Sequence, residues 1–465
     1  MLGKVFKAYD IRATYPKPLT VKLAWQIGFG TAQYLIGKAE EAGFEDPMMR
    51  HIVVGRDMRK SSPELVESLK KGMRDYGASV IDVGLVDTPF VSFAINHMGC
   101  CGGVQTTASH NPANYNGFKI SGIGAKPIGS ATGLDDIRRF AAVAASDRTA
   151  VGGGREESRN LWAAYREHVH AFLDPSLISG TSKLKVVIDA SNGMAGTMVP
   201  EVFASVKGLS ITKINFDNSS GEFVHEPNPL VEANLEELKR VVVEKKADLG
   251  FCFDGDADRC IVVDEKGRTI GCDLLTAWLS KRFLREHPGT SIVYDLRSSK
   301  ALAEVVLEHG GVPVKGRVGH VFMKQMLRES GGAFGGELSG HFYFRDNFCA
   351  DSGAIACAAV VSEMLAEKSP LSKRIDGIRR YAQSGEINFE TEDKAAAIEA
   401  LKAAYPKAKT ETIDGLTLDC GDWWCNVRAS NTEPLLRLNL ESKSADRTEA
   451  LVEEVSRYLG KRVAH

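Results

Sequence analysis

The chain has 465 residues, 43% hydrophobic and 25% charged, enough for about three or four ordinary globular domains. Lys and Arg number 58 against 60 Asp and Glu, for a formal net charge of -2, so nucleic acid and an anionic membrane surface are not expected partners; an anion site has to be a local cluster. The nine cysteines are scattered, with Cys100 and Cys101 adjacent and Cys420 and Cys425 lacking zinc-site spacing; they read as reduced thiols. The opening Met1-Leu2-Gly3-Lys4-Val5-Phe6 lacks the apolar core of a secretory signal and no apolar run is long enough to cross a bilayer, so a cytoplasmic location is expected.

In chain order, Tyr9-Asp10-Ile11-Arg12 sits just before Pro16 and Pro18, where Tyr9 and Arg12 could line an anion site or simply be exposed. A helix is expected from Val21 to about Gly37 and a strand from His51 to Val54, followed by Gly55-Arg56-Asp57. Ser62 and Pro63 predict a helix start with the serine as cap, and Leu65, Leu69 and Met73 recur behind them at helical spacing. Ser79 to Val83 and Gly103 to Thr107 read as strands, the second ending in Ala108-Ser109-His110-Asn111-Pro112. That loop presents one hydroxyl at the carboxyl end of a strand, where open α/β sheets place ligands, although four polar residues can also be a plain turn. Lys119 follows closely enough to share its surroundings. The Gly- and Ala-rich stretch from Ala141 to Gly154 reads as a boundary, and a helix is expected from about Glu157 to Phe172.

The alternation restarts at Lys185, with a strand ending in Asp189-Ala190-Ser191, then a helix from Asn234 to Glu244 capped by Asn234 with Glu237 three residues on. It restarts again at Ser291, where Ile292 to Arg297 reads as a strand, Ala301 to His309 as a helix and Gly316 to His320 as a loop. Three sections thus open on an apolar strand that closes in a polar turn, which predicts three related α/β domains. Beyond about Ser369, strands at Gly385–Thr391, Leu416–Cys420, Trp423–Val427 and Leu435–Leu440 and a helix at Arg447–Leu459 suggest a smaller α+β domain.

Asp254-Gly255-Asp256-Ala257-Asp258-Arg259 follows the apolar run Leu249 to Phe253. Like charges about 4 Å apart at an effective dielectric near 20 cost on the order of 4 kcal/mol per pair, and a bound cation converts that repulsion into coordination. Oxygen ligands on a short loop suit Mg²⁺. A calcium loop is the rival, since Glu265 falls at its twelfth position, but Arg259 stands where that loop needs glycine and both flanks look like strands. Arg428-Ala429-Ser430-Asn431-Thr432 is dense in donors that could cradle a phosphate or merely turn the chain. Glu337, Ser339 and His341 alternate, so in an extended segment they would face one way, as suits a ring of sugar hydroxyls or a polar strand face.

Taken together, and in this order, the Ser109 loop, the Asp254 loop, Gly336-Glu337-Leu338-Ser339-Gly340-His341 and Arg428-Ala429-Ser430-Asn431-Thr432 resemble the α-D-phosphohexomutase family, most closely its bacterial phosphomannomutase/phosphoglucomutase branch. The resemblance runs from Phe6 to the final helix. It implies four domains around a central cleft: a phosphoserine-bearing α/β domain (1–155), a metal-binding one (156–265), a sugar-recognition one (266–370) and a C-terminal phosphate-binding α+β domain (371–465). It implies that Ser109 is carried as phosphoserine, with Mg²⁺ on Asp254, Asp256, Asp258 and the serine phosphate. Glu337, Ser339 and His341 would hold sugar hydroxyls, and Arg428, Ser430, Asn431 and Thr432 the non-reacting phosphate. Tyr9, Arg12, Lys119, Arg259, Arg297 and His320 match further positions of the cleft. Three positions depart from the family pattern: Ala13 replaces the usual glycine, Arg317-Val318-Gly319 stands where many relatives have Lys-Thr-Gly, and Arg297 stands where lysine is frequent.

The expected reaction moves phosphate between O6 and O1 of mannose, and also glucose, through phosphoserine 109 and a hexose 1,6-bisphosphate that serves as intermediate and activator. Lys119, His110 and His320 are the acid/base candidates, with Lys119 favoured, since Arg12 or other nearby cations could lower its pKa. A phosphoglucosamine mutase is the nearest rival, though its sugar loop has glutamine where Leu338 stands; a non-catalytic phosphosugar-binding regulator is the alternative from another class. A monomer or small homo-oligomer is expected.

Overall fold

A computed structural model describes residues 2–144, 153–430 and 435–463. The chain divides into two compact units, one of Met1–Ile270 with Ser339–Ser372 and the other of Gly271–Leu338 with Lys373–His465.

In the first unit, six strands lie in the order Ile11–Thr14, Tyr115–Gly122, Gly102–Thr106, His51–Arg56, Ser79–Leu85, Glu156–Ser158. The first two joints are antiparallel and the other three parallel, a mixed sheet of the kind expected. The helices Val21–Glu41 and Ser62–Tyr76 pack very closely on each other. A Cβ on Gly28 would lie 2.1 Å from the Leu69 carbonyl oxygen, and one on Gly72 2.0 Å from that of Trp25, so the absence of side chains at both positions sets the spacing.

Helix starts differ from expectation at Ser62 and at Glu157. Ser62 does not cap its helix: Ser61 holds the cap position, and the Ser62 hydroxyl donates to Asp57 Oδ1 at 2.5 Å. The helix expected from Glu157 begins at Trp162, because Glu156–Ser158 is drawn off as a strand beside Val80–Asp82.

A second sheet of this unit runs Cys260–Asp264, Leu249–Phe253, Leu184–Asp189, Leu209–Ile214. Leu249–Phe253 is buried along its whole length and turns back antiparallel into Cys260–Asp264, so the acidic residues occupy a hairpin between strands. The calcium-loop alternative fails here: its flanks are strands, and Glu265 instead accepts the Ser372 amide at 3.1 Å. The capping box expected at Asn234 is also absent; a 3-10 turn, Glu232–Leu235, leads into the helix Glu236–Lys245, and the Asn234 side-chain Nδ2 donates to the Asn228 carbonyl. Phe342–Phe344 pairs antiparallel with Ala350–Asp351, ahead of the wholly buried helix Gly353–Glu363.

In the second unit, Ser291–Asp295 pairs in parallel with Val312–Gly316 and with Phe334–Gly336. An antiparallel sheet follows, ordered Lys409–Glu411, Leu416–Asp419, Trp423–Ala429, Leu435–Ser442, Ala382–Glu390, Lys461–Val463. The helices Lys394–Ala404 and Ala445–Leu459 accompany it, and Phe389, Trp423, Leu436, Leu438 and Val455 build its core, the α+β arrangement expected for the C-terminal part.

The repetition read from the three strand ends is physical. Asp57, Asp189 and Asp295 each turn a carboxylate oxygen back onto the amide two residues on, of Arg59 at 3.1 Å, Ser191 at 2.8 Å and Arg297 at 2.9 Å. Among the described residues, no helix is long and apolar enough to cross a membrane.

Candidate active site

The strand Gly102–Thr106 delivers the Ser109 loop, and the backbone there is unusual. Ser109 is buried and left-handed, with φ of 50°. Its amide donates to Thr107 Oγ1 at 2.9 Å. Below it lies Arg59, fully buried, whose guanidinium donates to the carbonyls of Ser109 (2.8 Å), Asn111 (2.7 Å), Pro112 (2.6 Å) and Tyr115 (3.1 Å), and through Nε to Asp57 Oδ2 at 3.1 Å. One side chain thus satisfies four carbonyls and fixes the loop. Arg59 escaped the sequence reading because a buried arginine has no local signature; its only signal was its place two residues after the strand-end aspartate.

The acidic hairpin reaches this loop within the same unit. Ser109 Oγ donates to Asp254 Oδ2 at 2.9 Å, and a Cβ on Gly255 would meet the Ser109 carbonyl oxygen at 2.3 Å, so glycine is what lets the two loops touch. Arg259 returns its own amide to Asp254 Oδ1 at 3.2 Å, with its Nε 3.8 Å from Oδ2. Lys119, on Tyr115–Gly122, bridges Asp256 Oδ2 at 2.7 Å and Asp258 Oδ2 at 2.6 Å. Arg12, on the neighbouring strand, donates to Asn111 Oδ1 at 2.6 Å and pairs with Asp10. Tyr9 is half-buried in the bend before that strand.

The carboxylates are in excess here. Burial and repulsion from Asp258 and Asp256 push the Asp254 carboxyl well above its usual range. Burial acts the same way on Asp258, but Lys119 and His341 outweigh it and hold that group well below. Lys119 corrects one expectation. Burial alone would lower its pKa, yet Asp256 and Asp258 dominate and raise it, opposite to the direction expected from Arg12 and other cations. His110 moves the other way: Arg259, then burial and Arg12, push it far down, leaving a neutral imidazole whose Nδ1 is 3.4 Å from Ser109 Oγ.

This donor set fits a divalent cation. Asp254, Asp256 and Asp258 can each offer an oxygen within 4.8 Å of the others, all buried. Asp256 Oδ1 is buried with no hydrogen-bond partner; so is Asp258 Oδ1, with the His341 Nε2 3.4 Å away. A second acidic trio, Glu67, Asp82 and Glu156, lacks that character: the Lys70 ammonium lies 2.6, 2.6 and 2.7 Å from the three and fills the position a metal would take. His341 and Asp351 also group with Asp258, which adds a buried carboxylate that the sequence reading missed.

The sugar-loop residues are not on one extended face. Phe334–Gly336 ends before Glu337, and the chain turns through Gly340, at φ of 85°, into Phe342–Phe344. In the first unit, Ser339 Oγ is 2.8 Å from His341 Nδ1. In the second unit, buried Glu337 accepts the Gly319 amide at 2.7 Å, next to His320, the first residue of the helix His320–Ser330. His320 therefore belongs to a different unit from Ser109, His110 and Lys119.

Also in the second unit, the strand Trp423–Ala429 carries Arg428, whose Nη2 donates to Glu386 Oε2 at 2.5 Å. Arg437 is 3.5 Å and Arg297 3.7 Å from the same carboxylate. Burial would raise Glu386, but Arg428 and Arg297 prevail and hold it below the usual range. Arg297 is itself seated on Asp295 by two bonds of 2.9 Å. Three arginines thus converge on Glu386, a donor-rich cluster of the kind that can grip an anion. Glu386 was not singled out by the sequence reading. The Ser430 amide donates to the Leu435 carbonyl at 2.8 Å; Asn431 and Thr432 lie outside the described residues.

A multidomain α/β protein with a buried serine hydroxyl hydrogen-bonded to a metal-competent acidic loop in one unit, and an arginine cluster in the other, has the parts of a phosphoryl-transfer site. Models of the phosphoglucomutase/phosphomannomutase family match in sequence, as alpha/beta/alpha domains I, II and III over residues 3–144, 163–267 and 272–381 and as the C-terminal domain over 386–457. Phosphomannomutase of Salmonella montevideo is 37% identical over 448 residues, 94% of each chain. A protein of Xanthomonas campestris described as phosphohexose mutases is 38% identical over 461 residues, 98% of each. The crystal structure of a phosphoglucomutase/phosphomannomutase family protein from Burkholderia thailandensis superposes with a TM-score of 0.86 at 30% identity, covering 98% of this chain and 96% of that one. The chain belongs to the phosphoglucomutase/phosphomannomutase family.

Proposed function

We propose that this protein is a phosphohexomutase, an isomerase that interconverts hexose 6-phosphate and hexose 1-phosphate, with mannose and also glucose as the sugar. The observation that carries the reading is the Ser109 hydroxyl, buried and hydrogen-bonded at 2.9 Å to the first aspartate of a cation-competent loop. The descriptions of the relatives favour this over a phosphoglucosamine mutase or a regulator without turnover.

In the proposed reaction Ser109 carries a phosphoryl group and gives it to the free O1 or O6 hydroxyl of a hexose monophosphate. The Ser109 O–P bond breaks, the sugar O–P bond forms, and one proton passes from the sugar hydroxyl to Ser109 Oγ. The resulting 1,6-bisphosphate then returns its other phosphate to Ser109. His110, with Nδ1 3.4 Å from Oγ, stands within reach of the serine oxygen, and Lys119 and His320 are the other acid/base candidates. The Lys119 ammonium, with Arg12 and Arg259, supplies positive charge beside the transferred group. Asp254, Asp256 and Asp258 would hold Mg²⁺, which when bound neutralises charge on the phosphoryl oxygens. Arg297 and Arg428 would grip the non-reacting phosphate, with Ser430, Asn431 and Thr432 beside them, and Glu337, Ser339 and His341 would bond sugar hydroxyls. A cytoplasmic location fits these substrates.

Mannose 1-phosphate, Mg²⁺ and a trace of the 1,6-bisphosphate should yield mannose 6-phosphate, and mass spectrometry should find one phosphate on the Ser109 peptide that is lost on mixing with sugar phosphate. Ser109→Ala should cut turnover at least about a thousandfold without changing the melting midpoint. Near-normal turnover by that variant would reject the phosphoserine role.

A further inference from the structure

Helix Thr88–Met98 begins directly against the acidic hairpin. The Thr88 amide donates to the Asp256 carbonyl oxygen at 3.1 Å, and the Thr88 hydroxyl donates to Asp256 Oδ2 at 2.5 Å, a bond between residues 168 positions apart. The same Oδ2 also receives the Lys119 ammonium at 2.7 Å. Two donors on one oxygen fix the rotation of that carboxylate and leave its other oxygen, Oδ1, buried and without a hydrogen bond. The hydroxyl is not spent on its own helix: the cap position belongs to Asp87, and Thr88 is the first helical residue. Nor can Lys119 do this work alone, because its ammonium sits on a flexible stem and is shared with Asp258 Oδ2 at 2.6 Å.

We propose that Thr88 is a positioning residue for metal binding: its hydroxyl and amide hold Asp256 so that Oδ1 is presented to the cation. This rests on reading the Asp254 loop as a divalent-cation site. Partners that orient a coordinating carboxylate contribute to metal affinity without touching the metal, typically by about 10- to 100-fold. Thr88→Val keeps the shape of the side chain and removes the donor; Thr88→Ser keeps the donor.

The test is calorimetric titration of the full-length, metal-stripped protein and its variants with Mn²⁺ alone, beside melting in the presence of chelator. Thr88→Val and Thr88→Ala should bind Mn²⁺ about tenfold or more weakly, with metal-free melting midpoints close to the parent's, and Thr88→Ser should recover most of the loss. In turnover assays the Mg²⁺ concentration for half-maximal rate should rise in Thr88→Val, while the KM for sugar phosphate stays put. Unchanged Mn²⁺ affinity in Thr88→Val, or equal losses in the Ser and Val variants, overturns the role of the hydroxyl while leaving the cation site intact. A parent protein that binds no Mn²⁺, or an Asp256→Asn variant that binds it as the parent does, overturns the cation site itself and the proposal with it.

Discussion

Asp57 and Asp295 end equivalent strands and bend the chain in the same way, each onto the amide two residues on, yet the arginines seated on them do opposite work. Arg59 turns inward. It has no exposure and gives its donors to four backbone carbonyls of the serine loop. Arg297 is locked to Asp295 and lies 3.7 Å from Glu386 among the other arginines. The repeated turn is a mount; the chemistry of the mounted cation is decided by what the next loops offer it, carbonyls in one case and carboxylates in the other. The second domain completes the series with a weaker mount, where Asp189 holds the imidazole of His225 at 3.3 Å in place of a guanidinium.

The same conservative substitution at the two arginines should break this symmetry. Arg59→Lys keeps the charge but cannot reach four carbonyls, and each buried carbonyl left unbonded costs about 1–3 kcal/mol. We expect a loss of several kcal/mol in denaturant unfolding together with a collapse of kcat; stability equal to the parent's would remove Arg59 from its place as the anchor of the loop. Arg297→Lys should leave the fold intact and raise the KM for hexose phosphate about three- to tenfold, with kcat nearly unchanged. A large fall in unfolding stability there would mean that both mounts serve the core alike.

The smallest effect is expected at His225. The hydrogen bond to Asp189 raises its pKa, against the opposing pull of burial. A histidine raised in the folded state adds stability that is fully present below its unfolded pKa of about 6.5 and is lost as pH climbs through the folded value. His225→Gln should therefore lose about 1 kcal/mol or less near pH 6 and match the parent by pH 8 or above, as read from melting midpoints across pH; a gap that widens with pH would reverse the assignment.

The serine loop and the aspartate triplet were legible in the sequence because each puts its chemistry in one short stretch, and a local run of strand, turn and strand was enough to place both. What stayed hidden depends on long-range burial. Arg59 looks like any surface arginine until the serine loop folds over it, and Glu386 reads as an ordinary polar strand residue until three arginines surround it. Ser62 satisfied the local rule for a cap, but Asp57 offered its hydroxyl a better acceptor. The supposed extended face at Glu337, Ser339 and His341 failed because Gly340 takes a left-handed turn, which alternation of polarity does not reveal. The sign of the shift at Lys119 needed the positions of Asp256 and Asp258, residues far away in the chain.

The left-handed backbone at Ser109, with φ of 50°, also limits which alcohol can stand there. Threonine would bring the same hydroxyl, but a β-branched residue is poorly tolerated in that region of conformational space. Substituting it would strain the loop. For the proposed phosphoserine role, main-chain stereochemistry by itself thus favours serine over threonine at this position.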